Sequence, residues 1–97
     1  MKVSHVYMMT NKNNTVLYTG VTSDLKRRVF QHKSKFYKGF TSTYNCDKLV
    51  YYKEFRYITD AIAFEKRIKS GSRRNKIRLV DEMNPEWEDL FERLNGG

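Results

Sequence analysis

Three polar residues of this 97-residue sequence, Arg28, His32 and Glu65, stand where the apolar stripe of a helix should run. In LKRRVFQHK, an α-helix turns about 100° per residue. With Leu25 at zero, Val29 falls near ~+40° and Phe36 near ~+20°, which defines a buried face. His32 near ~−20° lies inside that face, and Arg28 near ~−60° borders it. Arg27, near ~200°, points to solvent. Arg28 and His32 are four apart, so they are neighbours on one surface. Glu65 poses the same puzzle with the opposite sign: it shares the stripe of Ala61, Phe64 and Ile68 in the second long helical run. Burying a lone carboxylate costs several kcal/mol, so Glu65 must reach a cation, a metal ion or solvent at the stripe's edge. Tyr7 and Tyr18 add two phenols on neighbouring strand-like runs. All five side chains could meet in one cleft.

The elements that must position these residues follow from turn signals and periodicity. HVYMMT (5–10) and TVLYTG (15–20) flank the polar NKNN, a hairpin signal. A four-residue loop would pair Thr10 with Thr15 and set Tyr7 directly opposite Tyr18. Both tyrosines would then share one face, with Val6, Met8, Leu17 and Thr19 on the other. Ser23 or Asp24 can cap a first helix reaching about Phe36, followed by a loop rich in Lys, Gly, Ser and Thr. DKLVYYKEF (47–55) reads as a third strand. Thr59 or Asp60 can cap a helix through Ser70 that ends at Gly71, and Ser72 can cap another with Ile77, Val80 and Met83 inward. In NPEWEDLFERL, Asn84 reads as an N-cap and Pro85 as the first helical residue, with Trp87, Leu90, Phe91 and Leu94 as the apolar stripe. The expected fold is α+β: a small three-stranded antiparallel sheet flanked by helices, in the order ββαβααα, as one domain over 1–97.

Charge bounds the partner. Residues 1–80 hold 18 Lys and Arg against 5 Asp and Glu; residues 81–97 hold one Arg against 6 acids. The basic body carries the electrostatic footprint of a phosphate-rich partner. Its runs KRR (26–28), KRIK (66–69) and RRNKIR (73–78) supply Arg27, Lys33 nearby, Lys66, Lys69, Arg73, Arg74 and Lys76 as candidate phosphate contacts. No apolar run approaches membrane-spanning length, and the one cysteine, Cys46, cannot form an internal disulfide. A cytoplasmic location is the expectation.

The ordered residues resemble the GIY-YIG nuclease superfamily, above all its small stand-alone bacterial members and the nuclease domains of excision-repair and intron-homing enzymes. The two signature triplets stand here as His5-Val6-Tyr7 and Tyr18-Thr19-Gly20. An arginine ten residues past the second tyrosine and a histidine four beyond it fall on Arg28 and His32. The glutamate of the following long helix falls on Glu65, and the family's late asparagine on either Asn75 or Asn84. The first Gly-Ile is replaced by His5-Val6, and the second Ile by Thr19.

The resemblance implies a metal-dependent endonuclease acting on DNA, branched, nicked or damaged, in repair or recombination. Glu65 would hold one Mg²⁺ or Mn²⁺ ion, which suits a cation that keeps several waters. Arg28 would grip the scissile phosphate, Tyr7 would act as general base or orient the water, and Tyr18 and His32 would complete the proton network. A phenol near its usual pKa of ~10 is a poor base at neutral pH, so the site is expected to lower that of Tyr7 through a bound metal and Arg28 nearby. Two other readings compete: a nucleic-acid-binding module with weak catalysis, and a protein-interaction domain or homodimer using the acidic last helix.

Overall fold

The structure, a computed structural model, describes residues 2–36 and 38–95. The ends of the expected 1–97 domain, and Tyr37, lie outside the described residues. Three antiparallel strands, β1 (Ser4–Thr10), β2 (Leu17–Thr22) and β3 (Lys48–Phe55), form one sheet in the order β2-β1-β3. The helices are α1 (Leu25–Lys33), α2 (Phe40–Thr43), α3 (Ile58–Ser70), α4 (Arg73–Met83) and α5 (Phe91–Asn95). The α+β class and the three-stranded antiparallel sheet are as expected from the sequence; α2 is an addition to the order.

The hairpin register differs from the expected one by two residues. Thr10 pairs with Leu17, Met9 with Tyr18 and Tyr7 with Gly20. The loop is longer because Asn11 organises it: its Oδ1 accepts from the backbone N–H of Thr15 (2.8 Å) and Val16 (3.1 Å). Thr10 Oγ1 donates to the Val16 carbonyl at 2.6 Å. Side chains alternate with a period of two, so a slip of two preserves every residue's face. Tyr7 and Tyr18 still share a face, now as diagonal neighbours.

Each face of the sheet carries its own core. Val6, Met8, Val50 and Tyr51 pack with Ala61 and Ile68 of α3 and Val80 of α4. Tyr7, Met9 and Leu49 pack on the other face with Leu25 and Val29 of α1, Cys46 and Leu90. Helix α1 begins as expected, with the Asp24 side chain accepting from the Arg27 N–H, but it ends at Lys33 rather than Phe36. Lys35 then turns left-handed at φ 56°, and Phe36, expected inward, is 67% exposed. Helix α3 starts at Ile58 without a side-chain cap, whereas Ser72 caps α4 as its sequence suggests.

The C-terminal segment departs most from expectation. Asn84 does not start a helix; it ends α4, and the chain runs irregularly, with Trp87 at φ 54°, until α5 begins at Phe91. A bulge in β3 explains why. Met8 pairs with Tyr51 and Met9 with Leu49, leaving Val50 as the extra residue outside the ladder. The buried Asn84 Nδ2 donates to the Val50 carbonyl (3.2 Å) and to that of Glu88 (2.8 Å), while its Oδ1 accepts from the Glu88 N–H (3.1 Å). The tertiary role of satisfying a bulge overrides the local capping signal.

Candidate active site

The first two strands and α1 bring Tyr7, Tyr18, Arg28 and His32 together. Tyr7 is fully buried, and its ring lies over Gly20, its cross-strand partner. The rings of Tyr7, Tyr18 and His32 pack pairwise, with centroids 6.3 Å (Tyr7–Tyr18), 5.7 Å (Tyr7–His32) and 5.5 Å (Tyr18–His32) apart. The Tyr7 hydroxyl hydrogen-bonds His32 Nε2 at 2.9 Å, and His32 Nδ1 pairs with Thr41 Oγ1 at 3.1 Å. The Arg28 and Tyr18 side chains also act on the Tyr7 hydroxyl at close range. Burial explains why His32 could sit on an apolar face: both of its ring nitrogens have partners.

Electrostatics assigns protonation states. Burial, reinforced by the Arg28 guanidinium, lowers the pKa of His32, so the imidazole is neutral at pH 7. One of its nitrogens therefore donates and the other accepts. Burial raises the Tyr7 pKa well above its ordinary value, with Tyr18 adding to the rise and Arg28 opposing it. With Arg28 as the cation beside it, desolvation of a phenolate in a closed aromatic cluster outweighs that charge, whereas the expected lowering rested on a metal ion as well as Arg28. Tyr7 is held protonated beside a neutral imidazole.

Tyr18, Arg28, His32, Lys38, Phe40 and Thr41 line a hollow of about 320 Å³. Arg28 also borders two neighbouring hollows, one of them shared with Arg27. Across Tyr18 and Phe40 lies another, about 280 Å³, lined by Leu17, Thr19, Lys69 and Lys76 as well. Lys38, Phe40 and Thr41 went unread in the sequence, hidden in what reads as a polar loop. The signal available was Gly39, whose φ of 134° lets the chain turn into α2.

Glu65 is placed differently. Helix α3 packs on the Val6–Met8 face, opposite α1, and Glu65 Oε2 pairs with the ammonium of Lys69, one turn on, at 2.9 Å. That pairing resolves the burial puzzle of a side chain only 14% exposed. Lys69 in turn reaches the hollow beside Tyr18. Among the described residues no group of three or more His, Cys, Asp or Glu could hold a metal ion. A single carboxylate nevertheless fits a hard cation that keeps most of its shell as water and phosphate oxygens.

The remaining candidates divide. Lys66 and Arg74 are exposed. Arg73 Nη2 donates to the Thr15 carbonyl at 2.9 Å, tying α4 to the hairpin loop. Lys33 turns from the hollow to pair with Asp89 and to donate to the Asp47 carbonyl (2.9 Å). Asn75 is exposed at the start of α4, its N–H held by the Ser72 cap. The Asn84 carboxamide is engaged by Val50 and Glu88, as above.

The chain belongs to the GIY-YIG family: the model of the GIY-YIG catalytic domain matches residues 3–78. Its relatives include a UPF0213 protein of Staphylococcus haemolyticus, 32% identical over 82 residues that span 84% of this chain and 99% of the relative. A UPF0213 protein of Clostridium perfringens is 28% identical over 96% of this chain and 99% of its own. The solution NMR structure of a UPF0213 protein from Bacillus halodurans superposes with a TM-score of 0.58 at 30% identity, covering 91% of this chain and 93% of that one. Among the described residues, no helix is long and apolar enough to cross a membrane.

Proposed function

We propose that this protein is a divalent-metal-dependent endonuclease that hydrolyses phosphodiester bonds in DNA. The observation that carries the reading is the hydrogen-bonded chain Tyr7–His32–Thr41 beside Arg28, at the wall of a hollow that Arg28 and Lys38 also line. Hydrolysis needs a positioned water, charge to stabilise the phosphorane-like transition state, and a path for protons. Arg28, on the rim of the hollow, holds the scissile phosphate through its guanidinium fork. Tyr18, half-buried in the same wall, orients the attacking water. As that water forms the new P–O bond and the bridging P–O bond breaks, its proton passes through the Tyr18 hydroxyl, which lines the hollow, to the buried Tyr7–His32 pair, and the leaving oxygen takes up a proton from solvent. Tyr7 gives its hydroxyl proton to the neutral Nε2 as its oxygen takes up the incoming one, so no free phenolate forms. Thr41 holds the tautomer in which Nε2 is free to accept. Glu65 would hold one Mg²⁺ or Mn²⁺ ion, which when bound supplies positive charge to the phosphate oxygens.

Purified protein with Mg²⁺ or Mn²⁺ and a panel of branched, nicked and flapped DNA should show cleavage. Arg28→Ala and Glu65→Ala should each lower it at least about a hundredfold while folding is retained, the scale of losing one transition-state contact. Unchanged cutting in both variants would overturn the proposal. One observation favours a second reading, a nucleic-acid-binding module with weak catalysis: the Lys69 ammonium stands at the Glu65 carboxylate. Tight, salt-dependent binding without metal-dependent turnover would select it.

A further inference from the structure

The hollow around Arg28 and His32 is walled on its outer side by Phe40, which also walls the neighbouring hollow toward Lys69 and Lys76. Phe40 is 46% exposed and Tyr44, just past the end of α2, is 49% exposed. Their ring centroids lie 4.7 Å apart, and Phe40 lies 6.0 Å from the Tyr18 ring at a tilt of 31°. Three rings thus run in file from the buried cluster out to solvent. Unlike exposed rings standing singly, these two adjoin each other and the hollow and so present contiguous aromatic surface to solvent. Cations flank the file: Arg28 and Lys38 line the hollow on one side of Phe40, Lys69 and Lys76 that on the other.

Ring faces in a row with cations on both sides match a single nucleic-acid strand. Every base has a π-face on which a ring can stack, and every nucleotide brings a phosphate to the flanking cations. In a duplex the base faces are covered by neighbouring bases, so these rings would meet only the backbone.

We propose that Phe40 and Tyr44 form a stacking seat for unpaired nucleobases beside the scissile phosphate, so that the substrate carries unpaired nucleotides at the cut. The inference rests on the nuclease reading, because Arg28 fixes where the phosphate lies. The seat is tested by binding in metal-free buffer, where turnover plays no part. Fluorescence anisotropy would compare a labelled single strand of about 20 nucleotides, longer than one binding site, with the same sequence as a blunt duplex. The single strand should bind more tightly. Phe40→Leu keeps apolar bulk and should lose about tenfold in single-strand affinity, whereas Phe40→Trp should retain it. Duplex affinity should be the same in both variants. Phe40→Leu should leave the salt slope intact, since no charge is removed, and Lys76→Ala should make it shallower. Should Phe40→Leu fail to fold by circular dichroism, Tyr44→Leu, at the solvent end of the file, carries the same expectation.

Equal affinity of the folded leucine variant and the parent for the single strand, or an equal loss on single strand and duplex, would overturn the seat. The two proposals fail separately. Ring-dependent binding with no metal-dependent cleavage of any DNA overturns the nuclease. Cleavage that is indifferent to the Phe40 and Tyr44 variants overturns the seat.

Discussion

A Cβ built on Gly20 would lie 2.6 Å from the Tyr7 hydroxyl oxygen and 2.7 Å from Cζ. Tyr7 is fully buried and hydrogen-bonded to His32, so its ring cannot swing aside without breaking the chain of contacts that reaches Thr41. The glycine of the second triplet is thus required by the tyrosine of the first. Gly20→Ala should destabilise the fold by about 1–3 kcal/mol, the usual cost of overpacking, as read from urea unfolding. It should also lower cleavage at temperatures where the variant is still folded, because the displaced ring carries the proton path. At this scale much was legible. Helical spacing placed Arg28 at the edge of the core and His32 within it, as the structure does. The direction of the Tyr7 pKa was not legible, because it depends on how completely Tyr18, His32 and the sheet exclude water, which no spacing expresses.

Among the elements, strand–helix junctions carry information that periodicity lacks. The β3 bulge strands the Val50 carbonyl, and Asn84, thirty-four residues later, answers it. Asn84→Ala should cost about 1–3 kcal/mol, the penalty for leaving a buried acceptor unpaired, again measured by urea unfolding. Cleavage by the folded fraction should remain, which separates this asparagine from a catalytic one. The misread N-cap has the same origin. Asn-Pro is a good helix start by local rules, yet the amide is drawn into the bulge, and the chain reaches Leu49 through Leu90 N–H before α5 can begin. Helix α2 escaped notice because four residues are too few to show a period, although they bring Phe40 and Thr41 to the site.

Over the whole molecule, burial sets a dome of stability against pH. Both histidines of the chain have lowered pKa values: burial is the main cause in each, opposed at His5 by Glu54 and reinforced at His32 by Arg28. The unfolded chain therefore takes up protons near pH 6.5 that the folded one resists, and stability present above that pH is lost as pH falls through it. On the alkaline side, burial raises Cys46, Tyr7 and Tyr51 above their ordinary 9.0 and 10.0. Those groups ionise first in the unfolded chain, so stability present below pH 9 is lost as pH rises through 9 and 10. The melting temperature should be flat between about pH 7 and 9 and fall on both sides. A melting temperature still rising as pH drops from 7 to 5 would contradict the burial of the two imidazoles. Strand faces, the stripes of α1 through His32 and of α3, and the division into a basic body and an acidic C-terminal segment were determined by the sequence alone, since they follow from residue order and from spacings of a few positions. Only tertiary structure decided the hairpin register, the capture of Lys33 by Asp89, the pairing of Glu65 with Lys69 and the protonation of Tyr7. These depend on which distant atoms come into contact and how much water they exclude, and neither is a property of any local stretch of chain.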